Sequence, residues 1–124
     1  IGKKEMHDNT LVFMLEKEKF KGLFTGDINF QVENNLMRGY ENLSANLLKV
    51  SHHGSAKSTG ELFLRKVKPQ IAVIGVGQNN PYGHPKPALL DRLAATGART
   101  FRTDENGIIK LSLINNRLNV GLQK

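Results

Sequence analysis

The stretch Ile71-Ala72-Val73-Ile74-Gly75-Val76 constrains this chain more than any other, because it holds no polar side chain. It is far shorter than the roughly 20 residues a membrane helix needs. Breakers bracket it, with Pro69 before it and a Gly-, Asn- and Pro-rich loop at 77–87 after it. A short, β-branched apolar run of this kind reads as a strand buried on both faces, hence an inner strand of a sheet.

The rest of the chain alternates around it. Strands are predicted at Thr10–Leu15 and Phe20–Thr25, with Glu16-Lys17-Glu18-Lys19 as a charged hairpin turn, and at Leu47–Val50. Helices are predicted at Gln31–Arg38, with Leu36 and Met37 facing inward, at Thr59–Val67, with Leu62, Phe63 and Val67 as its stripe, and at Ala88–Thr96. Further strands follow at Arg99–Arg102, Ile108–Leu113 and Arg117–Leu122, and Asp104-Glu105 before Asn106-Gly107 reads as hairpin-turn chemistry. With no internal repeat or linker, residues 1–124 read as one α/β unit with helices on the outer face of the sheet.

Length and charge narrow the function. A chain of 124 residues supports one modest core. It has no cysteine, which removes disulfides, thiol catalysis and zinc fingers. With 18 Lys and Arg against 11 Asp and Glu, the formal charge is +7, which favours anionic partners such as nucleic acid or phosphate esters. The basic residues are scattered, so ordinary solubilising charge is the plain alternative. No basic-then-apolar leader is visible, and the fragment is expected to be soluble. Its opening, Ile1-Gly2-Lys3-Lys4, lacks an initiator Met, and the expectation is a piece of a longer protein.

Three loops carry candidate chemistry, each after a predicted strand, where open α/β sheets place their sites. Leu23-Phe24-Thr25-Gly26-Asp27 delivers a carboxylate able to bind or bridge metal ions; the alternative is that Asp27 caps the helix starting near Gln31. Lys49-Val50-Ser51-His52-His53-Gly54-Ser55 delivers two imidazoles from a buried strand. Neighbours on an extended chain point to opposite faces, so one histidine binds a given metal and the other meets substrate or supports it. Asn79-Asn80-Pro81-Tyr82-Gly83-His84-Pro85-Lys86-Pro87 offers Tyr82, His84 and Lys86 to one anionic group, with prolines restricting the backbone. The alternative there is a rigid turn with His84 a surface ring. His7 reads as solvent-exposed, and no P-loop or Gly-x-Ser-x-Gly elbow is present.

Taken in order, these pieces resemble the second half of the metallo-β-lactamase domain of the ComEC-type competence family. The likeness runs from about residue 7 to 113 and rests on Asn9-Thr10-Leu11-Val12, the Thr25-Gly26-Asp27 and Ser51-His52-His53-Gly54-Ser55 loops, Val67-Lys68-Pro69, Tyr82-Gly83-His84-Pro85 and Arg102-Thr103-Asp104-Glu105-Asn106-Gly107. The resemblance implies half of an αββα sandwich with a mixed sheet, and a two-metal phosphodiesterase or nuclease using zinc or manganese. It implies that Asp27 bridges the metals and that His53 ligates one, with His52 beside the substrate phosphate. It also implies His52 and His84 as catalytic groups, with Ser55, Asn80, Tyr82 and Lys86 lining the substrate.

One departure is large: the superfamily's His-x-His-x-Asp-His motif, which belongs to the first half of the domain, does not occur in this sequence. Two ligands in an open site bind metal weakly, so the isolated chain is expected to be inactive or feebly active without its missing N-terminal half. The implied parent is an inner-membrane channel protein whose extracytoplasmic domain acts on DNA during uptake. Two other readings stand beside it, a small-molecule phosphoesterase of the same fold and a non-catalytic DNA-binding or docking module. Against single-strand binding counts the aromatic content, two Tyr, six Phe and no Trp.

Overall fold

The computed structural model describes residues 11–123; His7 and the predicted strand start at Thr10 lie outside them. A five-stranded sheet runs β1 (Phe13–Lys17), β2 (Phe20–Phe24), β3 (Leu47–Lys49), β4 (Ile71–Ile74) and β5 (Arg99–Arg102), in that spatial order. β1 is antiparallel to β2, and the other pairings are parallel, so the sheet is mixed. The parallel strands are joined through α1 (Phe30–Gly39), α2 (Glu61–Val67) and α3 (Pro87–Ala95). A one-turn helix, α4 (Thr103–Asn106), then leads to a separate hairpin of β6 (Ile108–Ile114) and β7 (Arg117–Gln123). The α/β class expected from the sequence holds.

Strand alternation sorts the core into two layers. Leu23, Leu48, Ala72 and Ile74 point to the helical side, where they meet Phe63, Leu64 and Val67 of α2 and Leu89 and Leu93 of α3. Leu47, Ile71 and Val73 point the other way and meet Phe20, Phe24 and Phe101 of the sheet and Ile109, Leu111, Leu118 and Val120 of the hairpin. Every residue of β4 is buried, as its apolar run requires.

Several sequence expectations are corrected. The strands of the first hairpin extend to Lys17 and from Phe20, so only Glu18 and Lys19 turn; the opposed charges of Glu16 and Lys21 sit across the ladder and support the extra pairs. Asp104 and Glu105 do not close a hairpin. Arg102 holds both carboxylates, at 2.8 Å and 3.1 Å, and the segment coils as α4 between two different sheets. On α2 the buried positions are Phe63, Leu64 and Val67, while Leu62 faces solvent. Asn29 rather than Asp27 caps α1, its side chain accepting the Val32 N–H at 3.1 Å.

A buried ionic brace joins the helices. Glu33 on α1 is 1% exposed and accepts the backbone N–H groups of Thr59 and Gly60 at the start of α2. Burial pushes its carboxyl pKa up, against the lowering effect of those two N–H groups and of the Arg92 charge. Arg92 of α3 donates to the carbonyls of Ala56, Ser58 and Thr59 in the same segment. Removing the carboxylate strands two inward-facing donors. Glu33→Ala is therefore expected to lower stability by about 2–4 kcal/mol, read as the shift in the urea unfolding midpoint at constant slope.

Candidate functional site

The three loops singled out in the sequence leave the carboxyl ends of β2, β3 and β4, which parallel pairing sets side by side. Hydroxyls stitch the first two together. Ser51 Oγ donates to Thr25 Oγ1 at 2.6 Å, and Thr25 Oγ1 donates to the Lys49 carbonyl at 2.7 Å. Thr25 and Ser51 are each 1% exposed, so this chain of bonds is shielded from water. Beyond it, the His52 N–H donates to the Gly26 carbonyl at 3.2 Å, setting the histidine loop against the residue that precedes Asp27.

The histidines do not sit on an extended strand. β3 ends at Lys49, and Ser51–His53 form a 3-10 turn in which His52 (φ 48°), His53 (φ 52°) and Gly54 (φ 90°) all adopt the left-handed region. Strict opposition of neighbouring side chains therefore does not apply to this pair. Two non-glycine residues in that conformation cost on the order of 1–2 kcal/mol each, which the surrounding bonds must offset. The Gly54 N–H donates to the Ser51 carbonyl and the Ser55 N–H to the His52 carbonyl, each at 3.0 Å.

His53 is exposed, and its Nδ1 lies 2.5 Å from the Gly75 carbonyl at the end of β4. A carbonyl only accepts, so Nδ1 carries the proton and Nε2 presents a lone pair. That is the tautomer a metal-ligating imidazole adopts when a carbonyl orients it from behind. Asp27, also exposed, stands one residue beyond Gly26. Among the described residues no group of three or more His, Asp or Glu side chains gathers into a metal cage.

The third loop joins through the Lys86 N–H, which donates to the Gly54 carbonyl at 2.9 Å. Asn80 braces that loop from within, donating to the carbonyls of Gly77 and His84 and accepting the His84 N–H. Tyr82 is 70% exposed and stacks on His84 with ring centroids 5.7 Å apart. The His84 Nδ1 is buried and has no hydrogen-bond partner among the described residues. Burial lowers the His84 pKa below its ordinary 6.5, and electrostatic interaction with Lys86, His53 and His52 lowers it further. His84 is thus neutral at pH 7, and Lys86, His53 and His52 each lie close enough to act on it. Ser55 Oγ accepts the Lys57 N–H at 3.1 Å and so serves its own turn.

Sequence relatives agree in one respect. ComE operon protein 3 of Bacillus subtilis (strain 168) is 38% identical over 104 residues, covering 84% of this chain and 13% of that protein. Competence protein ComA of Neisseria gonorrhoeae is 38% identical over 92 residues, 73% of this chain and 13% of that protein. The matches support a competence protein family. Recombination protein 2 of Haemophilus influenzae (strain ATCC 51907 / DSM 11121 / KW20 / Rd) is similar at 28% over 114 residues, 92% of this chain and 14% of that protein. The chain therefore spans only 13–14% of the length of these relatives. No protein-family model matches it.

Some residues of this site carry no local sequence signal. Thr25 and Ser51 read as loop polars, and Gly75 as part of an apolar strand; their roles arise from contacts 22 to 26 residues away. Gly54 is different, since a glycine after two histidines already suggests a tight turn. A Cβ on Gly54 would lie 2.4 Å from the Pro85 Cβ, on a backbone with φ near 90°. Gly54→Ala is expected to cost about 2–5 kcal/mol from backbone strain and overpacking together. In amide spectra the shifts should spread to both 51–55 and 84–86, whereas changes confined to residue 54 would contradict the docking of those loops.

Proposed function

We propose that this chain is the C-terminal part of a metallo-β-lactamase-fold phosphodiesterase domain that acts on DNA during uptake in competence. The observation that carries the reading is the His52 N–H bond to the Gly26 carbonyl, because it brings the loop of Asp27 against the loop of His53. The donor chemistry supports it as well. Asp27 supplies carboxylate oxygens, and His53 supplies an imidazole whose Nε2 is left available by the Gly75 carbonyl. Such O and N donors suit zinc or manganese. In this reading the other ligands belong to the first half of the domain, on a His-x-His-x-Asp-His motif.

When bound, the two cations supply positive charge that acidifies water and offsets charge developing on the phosphate oxygens. The residues of this chain do the remaining work. His53 and Asp27 hold the ions. His52 lies beside the phosphate and protonates the leaving oxygen, while neutral His84 steadies a phosphate oxygen through a ring N–H. Lys86 attracts the anion, Tyr82 and Ser55 border the substrate, and Asn80 fixes the loop that presents them. The parent is proposed to be an inner-membrane channel protein carrying this domain outside; among the described residues no helix is long and apolar enough to cross a membrane.

The test is metal content and turnover of the complete protein. Asp27→Asn and His53→Ala are expected to lower bound zinc or manganese and to slow hydrolysis of DNA and bis-p-nitrophenyl phosphate by on the order of 100-fold. Turnover of the small ester without single- or double-stranded DNA would assign a small phosphoester instead. Chelator-resistant DNA binding with steep salt dependence and no turnover would leave a non-catalytic module.

A further inference from the structure

Parallel register places Phe24, Lys49, Val73 and Phe101 side by side across β2, β3, β4 and β5, on the face that packs against the β6–β7 hairpin. Three of these four are apolar and Lys49 is the exception, on an inner strand. An aliphatic residue would serve the packing better, since a lysine here must carry its charge out of an apolar row. The lysine is half-buried, and among the described residues no hydrogen bond or ion pair meets its ammonium.

The direction of the side chain is informative. A Cβ built on Gly75 would lie 3.4 Å from Lys49 Nζ and 3.5 Å from Cε. Gly75 lies two residues past Val73, the neighbour of Lys49, so the ammonium reaches toward the carboxyl edge of the sheet. The Gly75 φ is not in the left-handed region, so its backbone does not demand glycine. A side chain there would lie in van der Waals contact with the ammonium and cover that side of it. The same residue uses its carbonyl to orient His53. One glycine thus lies beside both an imidazole and the Lys49 ammonium at a single strand end.

We propose that Lys49 is a substrate-anchoring residue whose ammonium binds a non-bridging oxygen of a phosphodiester at the carboxyl edge of β3 and β4. This rests on the phosphodiesterase reading and adds a residue that none of the three loop motifs marks. An ammonium acts on phosphate as a point charge, which tolerates the variable geometry of a chain of nucleotides.

The test measures equilibrium binding of a short oligothymidylate by the full chain, in chelator, over a range of salt. Lys49→Met should weaken binding about tenfold and reduce the slope of log affinity against log salt by about 0.7. Lys49→Arg should restore most of both. Gly75→Ala, which keeps the charge but puts a methyl on it, should weaken binding while its unfolding midpoint stays near wild type; this arm stands if Lys49→Met fails to fold. Lys110→Met removes an exposed charge on the hairpin and serves as the control. Equal losses for Lys49→Met and Lys110→Met would overturn the proposal, leaving Lys49 as one share of the net charge, as would wild-type binding by Gly75→Ala. Divalent-cation binding by Asp27→Asn and His53→Ala is read in parallel. If those variants bind cations like wild type while Lys49→Met still loses the oligonucleotide, the metal reading fails and the anchor stands.

Discussion

The site depends on a short polar seam between two strand ends. Thr25 and Ser51 are buried at the tips of β2 and β3, and their hydroxyls form a chain that ends on the Lys49 carbonyl. Buried hydroxyls without partners are costly, so each fixes the other. The seam determines where both loops begin, and the His52 to Gly26 bond extends it by one step. Together with the turn's own Gly54 to Ser51 and Ser55 to His52 bonds, it helps hold two consecutive histidines in the left-handed region.

Each layer of the fold contributes to that edge. Apolar alternation buries β4 on both faces and so fixes the height of the Gly75 carbonyl, to which His53 is tied. On the helical side, Glu33 and Arg92 grip residues 56–60 and anchor the downstream end of the histidine loop. The third loop reaches the same place through Gly54, where only a residue without a side chain lets Pro85 approach. Backbone carbonyls, rather than side-chain pairs, thus do most of the positioning.

Much of this was legible in the amino-acid pattern. The apolar run of β4, the breakers at Pro69 and Gly97 and the periodicity of three helices give element order and class, because those signals are local. The three loops were likewise visible as polar residues at strand ends, and the structure brings them to one edge. The left-handed turn at His52 and His53 was not legible, since histidine adopts that region only in a small minority of cases and the Gly26 and Gly75 carbonyls that help impose it lie far along the chain. Asn29 and Asp27 are equally good caps by type; only geometry separates them. The α4 helix was hidden because Asp-Glu-Asn-Gly suits a hairpin turn, and the Arg102 guanidinium that overrides this choice sits just outside that motif.

If Asp27 and His53 present donors to a common cation at this edge, paramagnetic broadening by manganese detects it directly. Titrated into the chain, the ion is expected to broaden the amide signals of residues 26–27, 52–54 and 75 first, with residues 115–116 at the hairpin tip staying sharp. Broadening centred on Glu16 and Glu18, or spread evenly over the chain, would contradict it.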